Sequence, residues 1–183
     1  VNQLKVSQEE FIRLMDTVNL KYNRGMFLDE FLKLQSLTNI SGWQYFTEGY
    51  FGIQDESAGL ACRLLGVEPN MRVLDMCAAP GGKAAYLADL MGNTGEIVAL
   101  DFFESRLELL RQNNIRLGVT NVKTVAVDAL EYNDEKFDRI LVDAPCTGLG
   151  TLSKKPDIKW KKELVDIHNI NKLQTSLLEK AST

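Results

Sequence analysis

The chain has 183 residues, 45% of them hydrophobic and 25% charged, which suits one globular domain or one domain with a small appendage. A formal charge of −4 does not advertise a nucleic-acid binder over the whole surface. No apolar run approaches the ~18 residues of a membrane span, and Val1–Lys5 has neither the charge nor the apolar stretch of a signal peptide. The chain opens on Val rather than Met, as a piece of a longer protein would. Residues 1–50 read as a small α+β segment. Within it, the apolar spacing of Phe11, Ile12, Leu14, Met15 and Val18 predicts a helix over 9–18, with Ser7 as N-cap. Residues 39–52, rich in Gly and aromatics, read as loop or short strand. Gln54-Asp55-Glu56-Ser57 opens a helix capped by Asp55, ended by Gly66 and followed by Pro69.

From Met71 the pattern becomes regular. Strands are predicted at 73–77, 97–101, 122–128 and 137–143, alternating with helices at 83–91, 104–117 and 162–180. Such alternation predicts an α/β fold with a parallel sheet and right-handed crossovers. Its last helix would lead into a fifth strand.

Ligands of such sheets bind at the carboxyl ends of the strands. The first strand runs into Cys77-Ala78-Ala79-Pro80-Gly81-Gly82-Lys83, where small residues let the backbone approach a ligand. Alone, this is an ordinary strand-to-helix turn. Asp101 ends the second strand 20 residues after Gly81, where an acid accepts from ribose hydroxyls, and Asp128 ends the third, where it could accept from an adenine amino group. Either one singly is an ordinary turn or cap residue. Neither a phosphate loop nor a Gly-x-Gly-x-x-Gly pattern is present, so a pyrophosphate has no cradle. A nucleoside without phosphates fits, and S-adenosyl-L-methionine is such a molecule.

The fourth strand ends Asp143-Ala144-Pro145-Cys146-Thr147-Gly148. Free cysteines are usually inert core residues, but this setting is a poor apolar core. A thiolate that adds to carbon 6 of a pyrimidine makes carbon 5 nucleophilic, which is a chemical reason for Cys146. Five lysines follow (Lys154, Lys155, Lys159, Lys161, Lys162) against one acid, Asp157. In isolation they read as solvated surface; beside this loop they read as a hold on an RNA backbone. Three cysteines at wide spacing argue against disulfides or a zinc cluster and for a reducing cytoplasm, with no metal expected.

Cys77–Lys83 and Asp143–Gly150 resemble the cofactor and fourth motifs of the Sun/Fmu family of RNA cytosine-5 methyltransferases, with Thr147 where Ser is commoner. Gln54–Ser57 and Val1-Asn2 resemble further family elements, so the likeness runs over essentially the whole chain. It implies a Rossmann-like methyltransferase domain over 51–183 and part of an RNA-binding subdomain over 1–50. It also implies cofactor contacts at Cys77, Ala78, Ala79, Pro80, Gly81, Gly82, Lys83, Asp101, Asp128 and Asp143, with Arg106 a further candidate. Pro156-Asp157-Ile158-Lys159-Trp160 is most similar to the bacterial branch that modifies small-subunit ribosomal RNA. In that family the attacking cysteine lies in a later Thr-Cys motif, beyond Thr183, and Cys146 assists product release. The chain by itself is therefore expected to bind cofactor without turnover.

Three other readings compete. A methyltransferase for tRNA, DNA or another base is one; Cys146 stands where amino-group methylation would want an aromatic residue. A non-catalytic RNA-binding or assembly protein with the same fold is the second. A nicotinamide dehydrogenase, lacking its glycines, is the third. His168 is expected to be a surface or packing residue, and Trp43 and Trp160 core or loop anchors, with base stacking by Trp160 left open.

Overall fold

A computed structural model describes residues 1–35, 39–153, 155–161 and 163–183, the side chain of residue 161 excepted. Lys154, Lys162 and the side chain of Lys161 therefore lie outside what is described. The N-terminal segment opens with α1 (Gln8–Thr17), where the Ser7 hydroxyl accepts from the Glu10 N–H at 3.2 Å and satisfies one otherwise orphaned donor. An antiparallel hairpin follows, β1 (Tyr22–Arg24) and β2 (Leu32–Leu34). Its strands are three residues each, too short to leave a period-2 signature. The stretch read as loop or short strand is instead helical: a 3-10 turn at Ile40–Gly42, then α2 (Gln44–Thr47). Its aromatic residues do not form a strand because Trp43, Tyr45, Phe46 and Phe51 fold inward onto Phe11 and Met15 as a small separate core. Trp43 is the anchor expected, 5.4 Å from the Phe51 ring.

The remaining elements are α3 (Glu56–Leu64), β3 (Arg72–Asp75), α4 (Gly82–Leu90), β4 (Glu96–Asp101), α5 (Glu104–Leu117), β5 (Val122–Ala126), β6 (Arg139–Leu141), α6 (Ile158–Lys161) and α7 (Leu164–Ala181). Helix α5 has the predicted bounds because Gly118, at φ +75°, takes the left-handed conformation that ends it. The last two strands are shorter than predicted, and the final helix starts at Leu164. Among the described residues the sheet has four parallel strands in the order β5-β4-β3-β6. The chain winds outward from β3 through β4 to β5, then returns to the other side of β3, so the order reverses between β3 and β6.

Both faces of this sheet are buried, which is why its central strands read as continuous apolar runs rather than alternating ones. Val73, Ile97 and Ala99 face α3–α5 through Cys62, Ala84, Leu87, Met91, Leu107 and Leu110. Their neighbours Leu74, Val98 and Leu100 face the opposite way, onto Leu177 of α7 and the segment that carries Ala129 and Phe137. The small N-terminal core is tied to the sheet and its helices by directional polar contacts. The Asn2 amide donates to Gly49 O at 2.7 Å and Leu117 O at 2.8 Å. The Glu56 carboxylate accepts from the N–H groups of Met26, Phe27 and Leu28 at 3.1, 2.7 and 2.9 Å, which holds it below the usual carboxylate range. Glu30 accepts from Arg63 Nε at 2.9 Å and from Tyr86 Oη at 2.5 Å.

Candidate cofactor site

The carboxyl ends of β3, β4 and β6, with the turn after β5, meet along one edge of the sheet. From β3 the chain enters the turn 77–83, whose Ala78 N–H donates to Leu100 O at 2.8 Å, holding the turn against β4. Gly81 sits at φ +100°, and a Cβ there would lie 2.5 Å from Leu110 Cγ. This glycine is required by the close approach of turn and helix. At Gly82 a Cβ would make only ordinary contact, 3.6 Å from the Gln54 amide. With its amide oriented to satisfy both neighbours, Gln54 donates to Gly82 O at 3.0 Å and accepts from Gly59 N at 3.3 Å. The Gln54–Ser57 segment is thus built into the back of the turn.

Asp101 ends β4 as expected and is buried. Its Oδ1 accepts from Phe103 N–H at 2.9 Å and its Oδ2 lies 2.9 Å from Arg106 Nη1. The same guanidinium donates through Nη2 to Ala79 O at 2.7 Å. Arg106 therefore clamps the turn to the end of β4. Asp128 lies two residues past the end of β5, where its Oδ1 accepts from Leu130 N–H at 2.9 Å. Asp143 follows β6; its Oδ2 lies 2.5 Å from Lys83 Nζ, joining the turn to the fourth-strand loop. That loop is fastened to α7 by the Gln174 amide, which donates to Pro145 O at 2.9 Å.

Asp75 carries the same sequence signal as Asp101, an acid closing an apolar strand, and the structure adds it to the site. It is 1% exposed, and its Oδ2 has no hydrogen-bond partner. Its Oδ1 accepts only a long 3.4 Å bond from Cys77 N–H. Burial pushes the Asp75 carboxyl up to about 7, against the smaller opposing effects of that bond and of Lys83. Phe102 and Phe103 also flank the site, 66% and 56% exposed beside buried Asp101.

The thiols differ sharply. Burial pushes Cys62 up to about 12, and burial followed by the field of Asp75 pushes Cys77 up to about 11. Both stay protonated near neutrality and serve as small packing groups. Cys146 is exposed on its loop. Lys155 and Lys159 are exposed, and so is Trp160, which corrects its reading as a core or loop anchor. It escapes the core because Ile158, two residues earlier, takes the inward position. A cavity of about 360 Å³ lies behind the turn, between the small N-terminal core and the helices of the sheet, and is mainly aromatic and aliphatic. It shares Pro80 and Gly82 with the turn but includes neither Asp101 nor Asp128. Among the described residues no group of three or more His, Cys, Asp or Glu is arranged to hold a metal, and no helix is long and apolar enough to cross a membrane.

A parallel sheet with this order, a small-residue turn after its first strand and acids at the strand ends define a Rossmann-like methyltransferase fold. Residues 62–183 match the model of the 16S rRNA methyltransferase RsmB/F family, and the chain belongs to that family. It is 35% identical over 183 residues to ribosomal RNA small subunit methyltransferase B of Pseudomonas syringae pv. tomato, covering 98% of this chain and 41% of that protein. It is 38% identical over 176 residues to the 28S rRNA (cytosine-C(5))-methyltransferase of Mus musculus, covering 91% of this chain and 22% of that one. Among solved structures, a methyltransferase homolog from Pyrococcus horikoshii superposes with TM-score 0.86 at 38% identity, over 98% of this chain and 57% of that one. NSun6 from the same organism, solved with SFG, superposes with TM-score 0.88 at 25% identity, over 99% and 70%. The chain spans about two fifths of the length of the bacterial relative.

Proposed function

We propose that this chain is the cofactor-binding part of an enzyme that methylates carbon 5 of cytosine in RNA, with small-subunit ribosomal RNA as substrate. The observation that carries the reading is the meeting of the turn 77–83, Asp101 and Asp128 at adjoining strand ends, with the Cys146 loop on the same edge of the sheet. The relatives named for ribosomal RNA and cytosine methylation support the reaction, and SFG, an analogue of S-adenosyl-L-methionine, in a structural neighbour supports the cofactor.

The donor set fits S-adenosyl-L-methionine: buried Asp101 and half-buried Asp128 suit hydroxyl and amino donors, and an unpartnered Asp75 oxygen suits a cationic group. Bound, this cofactor supplies an electrophilic methyl group. Asp101, fixed by Arg106, accepts from the ribose hydroxyls, and Asp128 accepts from the adenine amino group. Cys77, Ala78, Ala79, Pro80, Gly81, Gly82 and Lys83 line the methionine end, with Asp143 beside Lys83. Cys146 assists product release, the attacking thiol coming from a later segment of the longer protein. Residues 1–50 form part of an RNA-binding subdomain and 51–183 the methyltransferase domain. The lysines at 154, 155, 159, 161 and 162 hold the RNA backbone. Three free cysteines suit a cytoplasmic setting.

Calorimetric titration with S-adenosylhomocysteine tests the site. The chain is expected to bind, Asp101→Ala to abolish binding, and Arg106→Ala to weaken it about tenfold or more, since two contacts are lost. A folded protein that takes up no S-adenosylhomocysteine, as this chain and as a full-length member carrying these residues, overturns the reading.

A further inference from the structure

Trp160 carries a feature that the cofactor site does not explain. Its indole is 82% exposed, on a four-residue helix where Ile158 is the inward residue. Ile158 packs on the Cys146 loop, its Cδ1 3.3 Å from where a Cβ on Gly148 would stand. Helix α6 is thereby docked beside the loop that bears the assisting thiol. Lys155 N–H donates to Thr151 O at 2.8 Å, which fastens the start of this segment to the same loop. Single exposed apolar side chains are common on this chain, so exposure alone assigns Trp160 no role; the charges around the ring do.

Charge identifies the occupant. The segment 154–162 carries five lysines and one acid in a chain whose net charge is −4. Lys155 and Lys159 are exposed, and the Lys159 ammonium stands 5.2 Å from the centre of the Trp160 ring. An aromatic platform flanked by cations is the arrangement that binds single-stranded nucleic acid: bases stack on the ring and phosphates meet the lysines. A folded protein partner would want an apolar patch with a mixed rim, whereas the sequence of this segment is dominated by lysine.

We infer that Trp160 is a stacking platform for an unpaired base of the RNA, next to the base presented at the Cys146 loop, with Lys155 and Lys159 on the flanking phosphates. The inference rests on the RNA reading above and assigns the residue that engages a base rather than the backbone. Stacking of this kind tolerates any base, so Trp160 contributes affinity and placement, and not sequence choice.

The test uses the chain with Trp43→Phe, which leaves Trp160 as the only indole. Its emission is followed during titration with a pyrimidine-rich single-stranded oligoribonucleotide, with an abasic oligonucleotide of the same length, and with inorganic polyphosphate. Quenching by the first and not by the other two is expected. Trp160→Ala is expected to weaken oligoribonucleotide binding about tenfold or more and Trp160→Phe to restore most of it, with S-adenosylhomocysteine binding unchanged in both. Lys159→Gln is expected to lower the salt dependence by about one counterion. Equal affinity of Trp160→Ala and the parent, or equal quenching by polyphosphate, overturns the platform while leaving the RNA reading in place. Failure of every form to bind RNA, with cofactor binding intact, overturns both. Quenching by an added protein fraction but not by RNA overturns the inference in favour of a protein partner.

Discussion

Lys83 Nζ lies 2.5 Å from Asp143 Oδ2, so a single ion pair joins the turn after the first strand to the loop after the fourth. The pair spans the point where the strand order reverses, and Asp143 is 56% exposed while Lys83 is 22% exposed. Exposed pairs of this sort contribute little to stability, about 0–1 kcal/mol. Asp143→Asn is therefore expected to shift the urea unfolding midpoint only slightly. It is expected to weaken S-adenosylhomocysteine binding several-fold, because an acceptor at the site edge is lost and Lys83 is released. An equal loss of stability and affinity would show that the pair acts only by holding the fold.

The adjacent glycines of the turn separate structure from ligand contact. Gly81→Ala puts a methyl group 2.5 Å from Leu110 Cγ at φ +100°, and it is expected to cost on the order of 1–3 kcal/mol of stability. Gly82→Ala meets only Gln54 at 3.6 Å, with no unfavourable φ, and is expected to leave the melting temperature within a few degrees. If the methionine end of the cofactor crosses this turn, Gly82→Ala nevertheless loses affinity. Melting curves with and without S-adenosylhomocysteine check both halves.

Asp75 makes stability depend on pH in an unusual direction for an acid. Its carboxyl rises from an ordinary 3.8 to about 7 on folding, so between those values the folded chain holds a proton that the unfolded chain has lost. Its contribution is then most favourable below about pH 4, falls as pH rises, and levels off above about 7, with a slope of roughly 1.4 kcal/mol per pH unit at most. Asp75→Asn is expected to remove this fall and to gain stability relative to the parent at pH 8 but not at pH 4. Urea unfolding at the two pH values decides it; parallel curves for parent and variant at both would sink the assignment.

The thiols predict a simple labelling pattern. Cys62, buried and raised to about 12, and Cys77, half-buried and raised to about 11, are expected to resist a thiol-directed reagent at pH 7.5 in the folded chain. Cys146 is exposed and is expected to react first. Peptide mapping after brief exposure to a maleimide should find the label at Cys146. Label at Cys77 would mean that the turn opens in solution, and binding of S-adenosylhomocysteine should then slow its modification.

The sequence by itself determined the alternation of strands and helices, the bounds of α5 and the placement of Asp101, because buried parallel strands and glycine-ended helices write their pattern locally. It did not reveal the hairpin Tyr22–Arg24 with Leu32–Leu34, whose three-residue strands carry no period. Nor did it separate Trp43 from Trp160, since local spacing cannot tell which indole meets a core; packing against Phe51 decides the first and the inward turn of Ile158 the second. Tertiary structure alone made Asp75 a buried, half-satisfied acid, by closing the turn, β6 and Lys83 around it. Only the folded chain turned Arg106 into a clamp, because its two acceptors, Ala79 and Asp101, lie on different strand ends and meet only when the sheet assembles.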